Sequence, residues 1–360
     1  MGRIHALHVC ELAAESGMCT LAALADTDRE RVRQAAAELG SGAPVFQSVE
    51  ELARAEICDA VVVVTPTDQH REHATALIRH GCRVLLEKPL TGAIEGDREF
   101  AAELEHRHPN ALMLAFQRRF DAPLRYAKDL LDAGAIGRVF KIYSALEDSS
   151  PPPETYRSGG ILPDMSVHNV DEILWLTGET PRSSLAIGSR LYSQALTAFR
   201  EDFDDALLYI WFESGAVAQI QVTRNHLSGY RVETILFGGE GQIHIGRFEQ
   251  KPFTVIVEAY GKRGHTEPIA YRAFEMRNYE RPLPEFVDRF GDAYKAEIAA
   301  FIACCRTGEA FPTSHWDGVA AQEVISAGMQ AVIGIEQAAA VRPVEQARAA
   351  VRPFKPLETV

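Results

Sequence analysis

Residues 59–89 read DAVVVVTPTDQHREHATALIRHGCRVLLEKP, and this stretch decides the fold. From Asp59 to Val64 apolar side chains follow one another without alternation, the pattern of a parallel strand covered on both faces. Thr65-Pro66 stops the strand. Helical spacing then runs from Gln69 to His80 and closes at Gly81, as a helix C-terminus should. Arg83 to Leu86 predicts the next strand, which runs into Glu87-Lys88-Pro89. Strand, helix, strand in this order is a βαβ unit.

The same alternation continues outward in both directions. Upstream, helical spacing links Ile4, Leu7 and Leu12, an apolar strand runs from Leu21 to Ala25, and Asp26 ends it. A helix is predicted from Arg29 to Leu39, an extended piece from Pro44 to Gln47, and a helix opened by a Ser48-x-x-Glu51 capping box. Downstream come a helix from Glu95 to His106 and a strand from Ala111 to Phe116. The fold class that follows is α/β: a Rossmann-type doubly wound parallel sheet over residues 1–118. From 119 to 345 the pattern changes. A helix (Pro123–Ala133) and a strand (Val139–Leu146) precede a loop with Pro151-Pro152-Pro153 and a helix from Leu162 to Leu176. Alternating segments at 206–212, 216–223, 232–237, 242–245 and 254–259, joined by short Gly-rich turns, read as hairpins of a large, open, mostly antiparallel sheet. Helices at 293–305 and 315–339 close this α+β unit, and 346–360 form a tail. An open sheet invites a second copy, so a dimer or tetramer through it is expected.

The bulk numbers exclude several classes. The 360 residues are 46% hydrophobic and 24% charged, an ordinary globular composition. Net charge is 37 − 50 = −13, which argues against nucleic acid and anionic membranes as partners. Apolar runs such as Ala60–Val64 are far shorter than the ~20 residues of a membrane helix. With no leader in view, a cytoplasmic protein is expected. Cys10, Cys19, Cys58, Cys82, Cys304 and Cys305 show neither CxxC pairing nor metal-finger spacing. Reduced thiols and no metal site follow.

Chemistry concentrates at the strand ends. Gly2 precedes a helix, and Asp26 follows it at about the spacing of the acid that binds ribose hydroxyls in dinucleotide folds. Taken alone, the two residues fit an ordinary chain start and strand-end cap equally well. The Thr65-Pro66-Thr67-Asp68-Gln69-His70 turn and Glu87-Lys88-Pro89 lie where open α/β sheets bind ligands; the Lys-Pro bond there is a candidate cis bond. In Gly159–Asp171, Asp164 and His168 stand i and i+4 on an otherwise apolar helix, with Asp171 near the same face. A carboxylate beside an imidazole is either a plain surface pair or a proton-transfer device. The apolar Ile161, Leu162, Met165, Val167 and Val170 favour a buried helix.

These motifs together resemble the glucose-fructose oxidoreductase / inositol dehydrogenase / rhizopine-catabolism (Gfo/Idh/MocA) family. Met1-Gly2-Arg3-Ile4-His5-Ala6 is similar to the tail of its glycine fingerprint, Glu87-Lys88-Pro89 to its E-K-P motif, and Asp164-x-x-x-His168 to its D-x-x-x-H motif. Phe116-Gln117-Arg118-Arg119-Phe120-Asp121, the loop from Asp148 to Tyr156, Gly229-Tyr230, Tyr294-x-x-Glu297 and Asp317-Gly318 resemble the inositol dehydrogenase branch. The resemblance implies a dehydrogenase. Lys88 would hydrogen-bond the reacting oxygen, His168 would take the hydroxyl proton, and Asp164 would orient the histidine and bind substrate. Arg118, Asp148, Tyr156 and Tyr230 would contact substrate. Gly2, Arg3, Ile4, Asp26, Thr65, Pro66, Thr67, His70, Glu87, Lys88 and Gln117 would face the cofactor. Asp26 favours NAD over NADP, because a carboxylate repels the 2′-phosphate. The expected reaction is NAD-dependent oxidation of a secondary hydroxyl of a cyclic polyol, inositol-like, to a ketone. Its rivals are a dehydrogenase of a pyranose, anhydrosugar or glycoside, and a non-catalytic sensor or inactive truncated member. Two departures stand out. The strand and the first two glycines expected before Gly2 are absent, as if the start were placed at an internal methionine. Asn169 and Arg231 replace acidic residues, which points to a different substrate.

Overall fold

The computed structural model of the protein describes residues 1–149, 159–189, 203–247, 253–262, 267–277, 279 and 283–334. Its first part alternates α1 (Gly2–Ser16), β1 (Leu24–Ala25), α2 (Arg29–Leu39), β2 (Val45–Phe46), α3 (Val49–Ala55), β3 (Ala60–Val63), α4 (His70–Arg79), β4 (Arg83–Leu86), α5 (Ile94–Arg107) and β5 (Leu112–Leu114). Local chemistry sets these bounds. The Asp28 carboxylate accepts from the backbone N–H groups of Glu30 and Arg31 and starts α2. Gly40, at φ 58°, ends it in the left-handed conformation that favours glycine. Ser48 caps α3, while Glu51 reaches back to the N–H of Gln47, one residue beyond a closed capping box.

The parallel strands fall into two sheets, β1-β2 and β3-β4-β5. This corrects the expectation for 59–64. Val63 is buried, but Ala60, Val61 and Val62 are half-exposed, because among the described residues no strand pairs with β3 on the side away from β4. The predicted strand at 21–25 contracts to its last two residues for want of a longer partner.

The second part comprises α6 (Ala122–Asp132), β6 (Val139–Glu147), a π-helical turn at Leu162–Ser166 running into α7 (Val167–Thr177), β7 (Pro181–Ser189), β8 (Asp205–Phe212), β9 (Val217–Thr223), β10 (Arg231–Gly238), β11 (Gly241–Ile245), β12 (Thr254–Gly261), β13 (Ala270–Glu275), α8 (Glu285–Thr307), α9 (His315–Gln330) and β14 (Ile333–Gly334). Its strands form one sheet in the order β13-β12-β11-β10-β6-β9-β8-β7-β14. The predicted hairpins β8-β9, β10-β11 and β11-β12 are present. However, β6 inserts between β9 and β10 and runs parallel to β9, a long-range pairing that turn chemistry does not encode. The strands β7 and β13 went unanticipated, because β7 begins with polar residues and β13 is largely exposed. The helix predicted to 339 ends at Gln330, and its last residues lie outside the described set. Ala206, Leu208, Ile210 and Phe212 alternate into the core beneath α9 and the π-helical turn.

The last two helices return to the first part. Ile298 and Phe301 on α8 share an apolar cluster with Leu12, Leu85 and Met113. Thr313 bonds the carbonyl of Leu114 at 2.6 Å. All six cysteines are free, and no described helix is long and apolar enough to cross a membrane. Phe301 is 1% exposed, so Phe301→Ala should cost about 3–5 kcal/mol. A urea titration reads this directly; a loss under about 1 kcal/mol would mean the α8 contact does not hold the two parts together.

Candidate active site

Three turns leave the C-terminal ends of β3, β4 and β5: Thr65-Pro66-Thr67, Glu87-Lys88-Pro89 and Phe116-Gln117. This edge is where open parallel sheets place their ligands. Strand β4 has Val84, Leu85 and Leu86 at 0% exposure, so the side chains that follow it start from a rigid base. Glu87 accepts from His5 Nε2 at 2.8 Å inside the protein. Burial alone would raise its carboxyl, but His5, the Lys88 charge and the chain's amino terminus together hold it below the usual range. The Lys88–Pro89 bond is cis.

Lys88 crosses to the second part. Its Nζ donates to the backbone carbonyl of Asp164 at 2.9 Å and to Asp164 Oδ1 at 3.1 Å. The other carboxylate oxygen, Oδ2, accepts from Arg224 Nη2 at 3.0 Å. Asp164 lies in the π-helical turn, a local irregularity common at functional sites, and His168 follows in the first turn of α7. His168 Nδ1 is buried without a partner, which leaves Nε2 as the nitrogen open to the cleft. Burial, with the charges of Lys88 and Arg118 added, holds the ring well below its usual pKa. The imidazole is therefore neutral near neutral pH and can accept a proton.

The structure thus joins Lys88, Asp164 and His168 but redistributes their roles. The Asp164 carboxylate serves Lys88 and Arg224, not His168. Asp171 is turned to Arg119, which holds it at 2.6 and 3.1 Å and also reaches Asp317 at 2.8 Å. Burial pushes the Asp171 carboxyl up, against that pull. Arg118, expected to touch substrate, is 1% exposed. It donates to Glu172 at 2.7 Å and stacks over Phe290, so its place is inside the protein, against α7 and α8. Tyr230 is half-buried, and burial pushes its phenol up. Asp148 bonds Thr223 and His226 through its backbone at the end of β6. Tyr156 lies outside the described residues. Asn169 is fully buried and donates to Ser144. Arg231 pairs with Glu147 and Glu233 on the sheet face opposite Thr234 and Leu236. Both departures are thus bonded to neighbouring side chains of the second part.

The cofactor side also sorts itself. Gly2 opens α1 against Val64; a Cβ there would stand 3.2 Å from Val64 Cγ2. No side chain caps α1; the N–H groups of Ile4 and His5 bond the Met1 carbonyl, and those of Gly2 and Arg3 stand at the helix start, where dinucleotide sites hold an anion. Asp26 ends β1 with its carboxylate on Asp28 N–H and Arg31 nearby at 3.7 Å. The residues present fit a dinucleotide: an uncapped helix start, an acid at the end of β1, and turns at Pro66, which is exposed, and at Lys88, which is partly so. Ile4 lies in that first turn of α1, half-buried. Arg3 pairs with Glu38 on α2. Three of the expected cofactor residues are buried. Glu87 turns its carboxylate to His5. Gln117 is 4% exposed. His70 is 1% exposed and bonds only backbone, because each packs into the frame behind the turns. Sequence reasoning missed Arg224, a lone arginine just after a strand with no motif to mark it, and the His5–Glu87 pair, whose only signal was that both flank recognised motifs.

A dinucleotide-binding edge facing a lysine, a carboxylate and a neutral imidazole defines a nicotinamide-dependent oxidoreductase. Comparison with known proteins agrees. Residues 1–116 match the oxidoreductase family with an NAD-binding Rossmann fold, and residues 124–244 match the GFO/IDH/MocA C-terminal domain. Inositol 2-dehydrogenase 2 of Saccharopolyspora erythraea is 31% identical over 92% of this chain and 91% of its own length. The scyllo-inositol 2-dehydrogenase (NAD(+)) of Bacillus subtilis is 29% identical over 94% and 96%. The crystal structure of scyllo-inositol dehydrogenase from Lactobacillus casei, with bound NAD(H) and scyllo-inositol, superposes with a TM-score of 0.75 at 26% identity, covering 92% of this chain and 93% of that one. The chain belongs to the Gfo/Idh/MocA family of oxidoreductases.

Because the ring of His168 is held below 6.5, a base at this position stays deprotonated until the pH falls through that lowered value. The acid limb of kcat/KM should therefore have its midpoint below pH 6.5. A profile taken at saturating NAD checks this; a midpoint at or above about 6.5, the free histidine value, would exclude His168 as the base.

Proposed function

We propose that the chain oxidises one secondary hydroxyl of an inositol-like cyclic polyol to a ketone. When bound, NAD supplies the hydride acceptor; the residues of this chain do the rest. An ammonium carries three N–H bonds. Lys88 spends two on Asp164, so the third is free to bind the reacting oxygen and stabilise its developing charge. His168 takes the hydroxyl proton. Asp164, held from both sides by Lys88 and Arg224, sets the height of the lysine in the cleft. The observation that carries this reading is the contact of Lys88 with Asp164 one turn before a neutral His168, in a chain whose relatives are inositol dehydrogenases. We place the division between the two units at residues 118 and 119. The sheet face bearing exposed Trp211 and Tyr271 we assign to contact between copies.

NADH absorbance with myo- and scyllo-inositol against a panel of pyranoses, anhydrosugars and glycosides tests the substrate class; turnover confined to the pyranose panel would overturn it. Lys88→Ala and His168→Ala should each lower kcat by about 10²–10⁴-fold with unchanged circular dichroism. Near-normal kcat in either folded variant would remove that residue from the chemistry.

A further inference from the structure

We propose that His70 is a positioning residue for Lys88, and that it acts with a proton on both ring nitrogens. His70 opens α4 and is 1% exposed. Its Nδ1 lies 2.8 Å from the carbonyl oxygen of Pro89, and its Nε2 lies 2.9 Å from the carbonyl oxygen of Thr65. A carbonyl oxygen only accepts hydrogen bonds, and a neutral imidazole carries a single N–H. A neutral ring would satisfy one carbonyl and point a lone pair at the other in a buried place, where a lost bond costs most. The imidazolium donates to both.

The two carbonyls belong to different turns. Thr65 follows β3 on the cofactor edge; Pro89 follows Lys88. The ring therefore ties the turn that faces the dinucleotide to the turn that carries the lysine. The surroundings are built for this. His73, on the same helix, holds Thr65 Oγ1 at 3.0 Å. Asp97, 0% exposed, accepts from the N–H and hydroxyl of Thr91, both at 2.6 Å. Leu90 between them is 1% exposed. The turns approach so closely that a Cβ on Gly92 would stand 3.0 Å from Thr67 Cγ2. The charged or titratable groups on the segments meeting at the ring are Asp68, Arg71, Glu72 and His73 on its own segment and Glu87, Lys88 and Asp97 on the segment that follows β4. Lys88 must reach one carbonyl and one carboxylate oxygen of Asp164 at once. A displacement of about 1 Å at such a contact can cost about 10²-fold in rate, so releasing the tie lowers kcat rather than polyol affinity.

Two experiments test this. Neutron diffraction from deuterium-exchanged crystals of the unaltered protein should show deuterium on both Nδ1 and Nε2 of His70; deuterium on one nitrogen only overturns the two-donor claim. This arm is independent of the reaction assigned above, on which the kinetic arm rests, so failure of one reading is distinguishable from failure of the other. In the kinetic arm, His70→Ala should lower kcat by about 10–100-fold with KM for the polyol within about threefold. Added imidazole should restore at least about fivefold of the loss, and 1-methylimidazole, which has one N–H at most, should not. Should the alanine variant not fold, His70→Gln, a donor at one end only, should show a kcat between the two. Wild-type kcat in a folded variant, or equal rescue by both imidazoles, overturns the positioning role.

Discussion

The contact between Lys88 and Asp164 is the constraint on which the site depends. It joins the end of a buried parallel strand to the π-helical turn that opens α7, and so fixes the width of the cleft between the two parts of the molecule. Half-exposed ion pairs contribute little to stability, but this pair is largely shielded, with side chains 15% and 14% exposed. Breaking it would leave a charge without its partner in a poorly solvated place, which is far more costly than the pair is stabilising. Arg224 completes the arrangement. Lys88 and Arg224 each bond one oxygen of the Asp164 carboxylate, and this places the ammonium at the cleft. Burial, with the charges of Lys88 and Arg118 added, keeps the His168 ring neutral. One electrostatic arrangement therefore prepares both the base and the group that stabilises the oxygen.

Precision of this kind needs support from behind. Glu87 is held by His5, Pro89 by His70 and Thr91 by Asp97, so each second residue of the lysine turn is bonded to a buried side chain. On the opposite wall Arg118 and Arg119 lock the segment after β5 onto α7 through Glu172 and Asp171, and Arg289 on α8 takes Asp121 with two bonds of 2.7 and 2.9 Å. Arg118 and Arg289 are buried, at 1% and 5% exposure. Their work is to make both walls of the cleft rigid.

What could be read from the sequence follows physical range. Residues whose roles are set locally were legible: the bounds of α2 and β4, the cap of α3, the strand-end position of Lys88 and the one-turn spacing of Asp164 and His168. Partner choice over long distances was not. Arg118 and Arg231 look alike in the sequence, as exposed arginines beside motifs, yet one is buried under α7 and the other lies on the far face of the sheet. His70 belonged to the correct turn but faces inward. The insertion of β6 between β9 and β10 and the bonding of Asp164 to Arg224 both depend on how the chain returns, which no local pattern records.

A crystal structure of the protein with NAD and an inositol tests the central claim most directly. Lys88 Nζ and His168 Nε2 should both lie within about 3.2 Å of one hydroxyl oxygen, with the lysine still bonded to Asp164. A polyol bound beyond the reach of either group, or a Lys88 that has parted from Asp164 in the loaded site, would contradict it.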